Sequence, residues 1–213
     1  MKFFKIFMMV AAFIIFSPIC SWATSTPVEN SYFINLDNIA QVTCIDSQNH
    51  RVTGTGTVIA KNRILTANHV IYGTVSCKVG NIPARIISAY PELDMAILEG
   101  DLGGHTSITQ ISCDGFVKGN LYFGIGFSYG QDFAVTKLFA IGKYAKMDAV
   151  EEYPFTVEHF GALLGLGFKG MSGGPIIDLD GKIVGILNVS NEGTYVLSRS
   201  LSDTPLCTAL IEK

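Results

Sequence analysis

Hydrophobic residues beyond position 38 fall into short runs, and glycine or proline separates the runs about every ten residues. The runs are rich in Val, Ile, Thr, Phe and Tyr, a composition that favours β-strands over helices. The predicted strands are Ile39–Ile45, Gly54–Ala60, Arg63–Thr66, Ala84–Ala89, Ala96–Glu99, Asn120–Gly126, Phe133–Ile141, Pro175–Asp178, Lys182–Asn188 and Thr194–Arg199. Asp180-Gly181 joins two of them and predicts a hairpin, because such a turn needs positive φ. The pattern predicts an all-β chain.

The N-terminal segment departs from this strand pattern. Phe3 to Phe16 is almost continuously apolar, it carries Lys2 and Lys5 at its start, and Ser21-Trp22-Ala23 follows it. These features predict a signal peptide over 1–23 that is cleaved after Ala23. An uncleaved membrane anchor is the alternative, but the apolar run is shorter than the roughly 20 residues that a membrane span needs.

The C-terminal segment also differs. Ser202 or Asp203 can cap a helix, Pro205 suits its first turn, and Leu206, Ala209 and Leu210 would share one face. We therefore expect a C-terminal helix over 202–213. Residues 24–38 are expected to form a flexible lead-in, with a propeptide over Thr24–Ser31 as the alternative. The polar stretch around 100–109 is the candidate linker between two lobes.

Removal of the leader changes the composition. The whole chain is 48% hydrophobic with 15 Lys and Arg against 18 Asp and Glu. Residues 24–213 retain 13 basic and 18 acidic residues, so their formal net charge is −5. This balance excludes a collagen-like or disordered chain and a strongly basic nucleic-acid binder.

Four cysteines remain after Cys20 leaves with the leader. An even number in an exported chain favours two disulfides, for which three pairings are possible. We expect Cys44–Cys77 within the first lobe and Cys113–Cys207 at the C-terminus, with four free thiols as the alternative. No spacing of Cys or His suggests a metal site, and no cofactor is expected.

Three short motifs carry candidate chemistry. His69 follows a strand, Asp94 precedes one, and Ser172 lies among glycines. Alone, each fits an ordinary turn, packing or strand-start position. Together they supply a nucleophile, a base that accepts its proton, and a carboxylate that orients the base. The N–H groups of Gly170 and Ser172 are the expected donors to a developing oxyanion.

The motifs resemble those of the trypsin/chymotrypsin-like serine peptidase family. Thr66-Ala67-Asn68-His69 resembles its Thr-Ala-Ala-His, Leu93-Asp94-Met95-Ala96-Ile97-Leu98 its Asp-Ile-Ala-Leu-Leu, and Gly170-Met171-Ser172-Gly173-Gly174-Pro175 its Gly-Asp-Ser-Gly-Gly-Pro. The order His, Asp, Ser is also that of the family. The spacings, 25 and 78 residues, are similar to those of compact bacterial members, including HtrA/Deg-type protease domains, although no PDZ-like segment follows.

The resemblance implies a fold and an activity. The fold is two antiparallel β-barrels, 39–106 and 107–201, with the site in the cleft between them. His69 would be the general base, Asp94 its orienting carboxylate and Ser172 the nucleophile of an exported, monomeric serine endopeptidase. Its partners would be protein or peptide substrates, with no nucleic acid and no stable membrane anchor, in the periplasm or outside the cell. An inactive binding module, or an esterase or acyl-transfer enzyme, is the alternative.

The chain departs from the digestive members at the nucleophile. Met171 stands where they have an aspartate that receives a new N-terminal ammonium, so we expect no such activation and a loop held by packing. Leu166 stands where trypsin-type members place the acid of the specificity pocket, which leaves basic specificity without support. The residues expected to line the pocket, and to select a small or medium apolar side chain, are Leu166, Asn188, Val189, Ser190, Gly193 and Tyr195.

The predicted cleavage site can be tested by fluorescence, because Trp22 is the only tryptophan. Cleavage after Ala23 leaves an exported protein with eight tyrosines and no tryptophan. We expect its emission spectrum to be that of tyrosine alone, and N-terminal sequencing to begin at Thr24. Tryptophan emission from the purified exported protein would show that the leader is retained.

Overall fold

The computed structural model describes residues 36–102, 110–130, 132–147, 157–190, 194–202 and 204–207. The predicted signal peptide, most of the lead-in, Gly193 and residues 208–213 of the predicted helix lie outside the described residues. In the described ranges, no helix is both long and apolar enough to cross a membrane.

The first barrel contains six antiparallel strands in the closed order β1-β2-β3-β6-β5-β4. The strands are β1 (Ile39–Asp46), β2 (Arg51–Ala60), β3 (Arg63–Thr66), β4 (Thr74–Val79), β5 (Ile82–Tyr90) and β6 (Met95–Glu99). A short helix, α1 (Asn68–Ile71), follows β3, and a 3-10 turn, Pro91–Leu93, precedes β6. Val42, Ile64 and Leu98 are fully buried inside this barrel, together with Val70 of α1.

The second barrel also closes with six antiparallel strands, in the order β10-β11-β12-β9-β8-β7. The strands are β7 (Leu121–Ser128), β8 (Asp132–Met147), β9 (Val157–Leu164), β10 (Pro175–Ile177), β11 (Ile183–Ser190) and β12 (Tyr195–Ser200). Leu138, Leu163 and Ile176 are fully buried in its core. The expectation of an all-β fold of two antiparallel barrels is therefore confirmed.

A third apolar cluster joins the two barrels. Leu65 and Met95 of the first barrel pack with Ile125, Ile177 and Ile186 of the second, and all five are almost completely buried. Burial of apolar surface on this scale holds the barrels together without directional bonds. The cluster fixes the relative position of the strand ends from which the candidate catalytic residues extend.

Two strands were not predicted from the sequence. In β4, only Cys77 and Val79 are buried, so the strand lacks the apolar run on which the prediction depended. In β9, Glu158, His159 and Gly161 interrupt the apolar run on which the prediction depended. The predicted Asp180-Gly181 hairpin connects β10 and β11, and Gly181 has a φ of 78°. Of the predicted C-terminal helix, residues 205–207 are helical.

Two disulfides tie the fold, and they join the expected pairs. Cys44 and Cys77 face each other on the paired strands β1 and β4. Cys113, before β7, bonds to Cys207 in the last described turn. The second bond closes a loop with a sequence separation of 94 residues and fastens the C-terminal end to the second barrel.

Loss of the Cys113–Cys207 bond should destabilise the protein. The double variant Cys113→Ser/Cys207→Ser should lower the free energy of unfolding by about 2–5 kcal/mol, because its unfolded chain is less constrained. Urea unfolding without reductant measures the difference from wild type. An unchanged midpoint and slope would show that this bond does not contribute to stability.

Candidate active site

His69 lies on α1, directly after β3 leaves the first barrel. Ala67 precedes the helix in an extended conformation, and Val70 and Ile71 anchor the helix in the barrel core. This placement leaves the His69 side chain 19% exposed at the edge of the barrel. The helix backbone therefore holds His69 in place, and its imidazole remains accessible to a substrate.

Asp94 lies in the turn between the 3-10 turn and β6. Its backbone is left-handed, with φ 46° and ψ 50°, and its N–H donates to the Pro91 carbonyl at 3.0 Å. Aspartate is one of the few residues that adopt this conformation readily. The carboxylate is completely buried, so its charge needs hydrogen-bond donors.

The His69 side chain and backbone both bind that carboxylate. The His69 N–H donates to Asp94 Oδ1 at 2.8 Å, and His69 Nδ1 lies 2.9 Å from Asp94 Oδ2. An ionised carboxylate only accepts, so Nδ1 carries the proton and Nε2 is left as the acceptor. This is the orientation that a general base requires.

Asn188 on β11 completes the surroundings of Asp94 from the second barrel. Its Nδ2 donates to Asp94 Oδ2 at 2.6 Å and to the Asp94 carbonyl at 2.9 Å. Its Oδ1 accepts from the Arg199 N–H at 2.7 Å, which fixes the orientation of the amide. We expected Asn188 to line the specificity pocket, but its side chain is buried against Asp94 instead.

Ser172 lies close to the start of α1 because glycines let the two barrels approach. Its hydroxyl donates to the Asn188 carbonyl at 3.1 Å. Gly173, with φ 86°, leaves no room for a side chain, since an added Cβ would lie 2.4 Å from the Thr55 carbonyl oxygen and 2.6 Å from the Ala67 nitrogen. The nucleophile loop therefore contacts the backbone that leads directly into His69.

Residues 168–174, here called the oxyanion loop, present the two expected amides. The Lys169 carbonyl accepts from the Tyr129 N–H at 2.5 Å, and the Met171 carbonyl accepts from the Gly174 N–H at 2.9 Å. A trans peptide points its N–H away from its carbonyl, so the Gly170 and Ser172 N–H groups point away from these anchors. Within the described residues, neither N–H has a hydrogen-bond acceptor, and both remain available to a ligand.

Met171 packs inside the second barrel. It is 1% exposed and belongs to the same core cluster as Leu138 and Ile176. Gly170 has a φ of 93°, and a Cβ there would lie 2.5 Å from the Phe127 carbonyl oxygen. The oxyanion loop is thus seated against the barrel without a charged group at position 171.

The remaining residues expected in the pocket lie at one end of the second barrel. Leu166 and Tyr195 are 48% and 39% exposed, whereas Val189 and Ser190 are partly buried on β11. The Ser190 hydroxyl donates to the Gly167 carbonyl at 3.0 Å and so holds the segment that carries Leu166. No group of three or more His, Cys, Asp or Glu in the described ranges is placed to hold a metal ion.

Comparison with known families gives a match over this region. A family model for the trypsin-like peptidase domain matches residues 54–186, which include His69, Asp94 and Ser172. A probable periplasmic serine endoprotease, DegP-like, from Pseudomonas fulva (strain 12-X) is 28% identical over 139 residues, which are 62% of this chain and 28% of that protein. A protein of the same description from Halomonas elongata is 28% identical over 148 residues, 66% of this chain and 30% of that protein. The chain thus spans less than a third of the length of these relatives.

Solved structures share the fold. The Rv3671c protease from M. tuberculosis, in its active form, is 23% identical with a TM-score of 0.65, over 76% of each chain. The HtrA-type protease AlgW with a tripeptide is 23% identical with a TM-score of 0.66, over 83% of this chain and 59% of that one. At this level of identity the likeness concerns the two-barrel fold alone.

Removal of the Asn188 amide should weaken the site more than the fold. Asn188→Ala deletes a hydrogen bond to a buried carboxylate, which contributes about 1.5–3 kcal/mol. We expect fluorophosphonate labelling of Ser172 to slow by about 10- to 100-fold. Ser198→Ala is the matched control, because in the described part of the chain this buried hydroxyl on the adjacent strand has no hydrogen-bond partner. Equal labelling rates of the folded variants would contradict a role for Asn188 in orienting Asp94.

Proposed function

Because the chain belongs to the trypsin-like peptidase domain family, we propose that it is a serine endopeptidase with a Ser172-His69-Asp94 triad. The observation that carries the proposal is the buried Asp94 carboxylate, which binds both the backbone and the Nδ1 of His69. A structural histidine needs no such double contact. A carboxylate in this position holds the tautomer of a general base and stabilises the imidazolium that forms.

The reaction begins at the Ser172 hydroxyl. Rotation of the side chain moves the hydroxyl from the Asn188 carbonyl to His69 Nε2, since apo hydrogen bonds often differ from those in the substrate complex. As Ser172 Oγ bonds to the scissile carbonyl carbon, its proton passes to His69. The carbonyl π electrons move to the oxygen, which becomes the oxyanion.

The second half of acylation breaks the peptide bond. Gly170 and Ser172 donate their free N–H groups to the oxyanion, and preorganised donors of this kind usually make the largest single contribution to lowering the barrier. His69 then gives its proton to the leaving amine, and an acyl-Ser172 ester remains. Water attacks this ester with His69 again as base, which releases the acid and restores Ser172.

The surroundings of the site support cleavage beside an apolar residue. Leu166, Val189 and Tyr195 are the apolar side chains among the expected pocket residues, and Ser190 is neutral. We propose that protein or peptide substrates present a small or medium apolar side chain here. Asn188 lines the proposed pocket with its backbone carbonyl, while its side chain hydrogen-bonds to the Asp94 carboxylate.

Export is the second part of the proposal. The predicted leader over 1–23 and two disulfides fit a protein that folds in an oxidising compartment. The relatives from P. fulva and H. elongata are described as periplasmic. We propose a periplasmic or secreted enzyme, released from its leader and active as a monomer.

An inactive binding module is the competing function. The observation that favours it is the Ser172 hydroxyl, which donates to the Asn188 carbonyl in this structure. A permanently misdirected hydroxyl would leave a protease fold that binds peptides without cleaving them. Covalent labelling of Ser172 separates the two functions.

Substitution of the triad tests the endopeptidase. Ser172→Ala and His69→Ala should each lower kcat on a peptide substrate by several orders of magnitude, and Ser172→Ala should abolish fluorophosphonate labelling. His50→Ala is the matched control, because His50 also contacts an aspartate, Asp46, at 3.0 Å but is 70% exposed and distant in sequence from the motifs. It should keep the wild-type rate.

Two results would overturn this assignment. Full activity of either triad variant would exclude the triad. Wild-type protein as unreactive as Ser172→Ala, with both folded, would favour the binding module.

A further inference from the structure

The geometry points to Thr55 as a positioning residue that holds the oxyanion loop in its donating conformation. We infer that this threonine of the first barrel fixes the backbone on which the Gly170 and Ser172 amides lie. The inference rests on the proposed peptidase function and adds a residue that none of the catalytic motifs contains.

Thr55 occupies the point where the two barrels are closest. It is completely buried on β2, between Gly54 and Gly56. An added Cβ at Gly54 would lie 3.0 Å from the Ser172 carbonyl oxygen, and one at Gly126 of β7 would lie 2.8 Å from Thr55 Oγ1. The absence of side chains at these glycines lets Thr55 reach the oxyanion loop and β7 at once.

Every polar group of Thr55 has a partner, and two of the partners belong to the oxyanion loop. Its N–H donates to the Ser172 carbonyl at 2.8 Å, and its hydroxyl donates to the Gly170 carbonyl at 2.8 Å. The same hydroxyl accepts from the Phe127 N–H at 2.9 Å. The Thr55 carbonyl accepts from the Thr66 hydroxyl at 2.7 Å, next to the start of α1.

These contacts act on the two residues whose amides would bind the oxyanion. The carbonyl before Gly170 is held by Tyr129, and the carbonyl of Gly170 itself is held by the Thr55 hydroxyl. With both peptides around Gly170 anchored, the Gly170 N–H cannot turn away without breaking a buried hydrogen bond. An unsatisfied buried group costs about 1–3 kcal/mol, which opposes such a rotation.

Thr55 therefore supplies an anchor in a chain that lacks a charge beside its nucleophile. Met171 packs in the core but offers no hydrogen bond from its side chain. Packing alone is non-directional and does not select the orientation of a peptide plane. The Thr55 hydroxyl is directional, and it links the loop to β7 and to β2 together.

Thr57 provides a matched comparison on the same strand. It is 1% exposed, points to the same side two residues further along β2, and its hydroxyl has no hydrogen-bond partner among the residues that the structure describes. Thr55→Val and Thr57→Val make the same change of a hydroxyl to a methyl in buried positions. Only the first removes contacts with the oxyanion loop.

The experiment compares Thr55→Val, Thr57→Val, Thr55→Ser and wild type as full-length protein. Peptide hydrolysis gives kcat and KM, inhibition by a peptide aldehyde reports binding of the tetrahedral adduct, and thermal unfolding reports folding. We expect Thr55→Val to lower kcat and aldehyde affinity about 10- to 100-fold with KM within twofold, because a displaced donor weakens only the oxyanion state. Thr57→Val and Thr55→Ser should stay within a few-fold of wild type.

Several outcomes would overturn the inference. Equal kcat for folded Thr55→Val and Thr57→Val would show that the hydroxyl does not position the loop. If Thr55→Val does not fold, Thr55→Ser is the deciding variant, because it keeps the hydroxyl and removes only the methyl group. A large loss of kcat in folded Thr55→Ser would show that the methyl group, and not the hydroxyl, is what matters. A change in KM alone would indicate substrate binding instead.

Failure of the proposed function gives a different result. Wild-type protein that neither hydrolyses the peptide nor reacts with fluorophosphonate would remove the peptidase, and the role of Thr55 with it. Active wild type with an unaffected Thr55→Val would remove only the role of Thr55.

Discussion

The buried charge of Asp94 is the constraint on which the site depends. A carboxylate removed from water must be surrounded by donors, and here they come from both barrels. The first barrel supplies the His69 backbone and ring, and the second supplies the Asn188 amide. Burial of this one charge thereby fixes the orientation of the His69 ring and the left-handed turn before β6. It also fixes how far apart the two barrels lie at this point, although they are formed by separate parts of the sequence.

The junction between the barrels has a second requirement, which is close contact of their backbones. Gly54 and Gly173 remove the side chains that would separate β2 from the oxyanion loop, and Thr55 bonds across the gap. The apolar cluster around Leu65 and Ile186 stabilises the contact between the two barrels. The hydrogen bonds between polar groups set the position of one barrel's backbone relative to the other. Stability and geometry at this junction therefore have different physical origins.

Much of this could be predicted from local sequence. The apolar runs separated by glycine predicted an all-β chain, and three motifs in a fixed order indicated His69, Asp94 and Ser172 as the candidate catalytic residues. β4 was not predicted because its apolar residues, Val75, Cys77 and Val79, alternate with polar ones, and the prediction was based on continuous apolar runs. Asn188 was assigned to the pocket because it belongs to a strand expected to wall it, yet its side chain hydrogen-bonds to a carboxylate 94 positions earlier in the chain.

The sequence by itself determined which chemical groups are available and in what order, because short motifs specify residue types and local turns. Tertiary structure alone decided which groups meet. Thr55 lies in a strand with no catalytic motif, and its partner Gly170 is 115 residues away, so no local pattern could connect them. Such contacts depend on how two closed barrels pack, and this packing follows from burial summed over the whole chain instead of from any single segment.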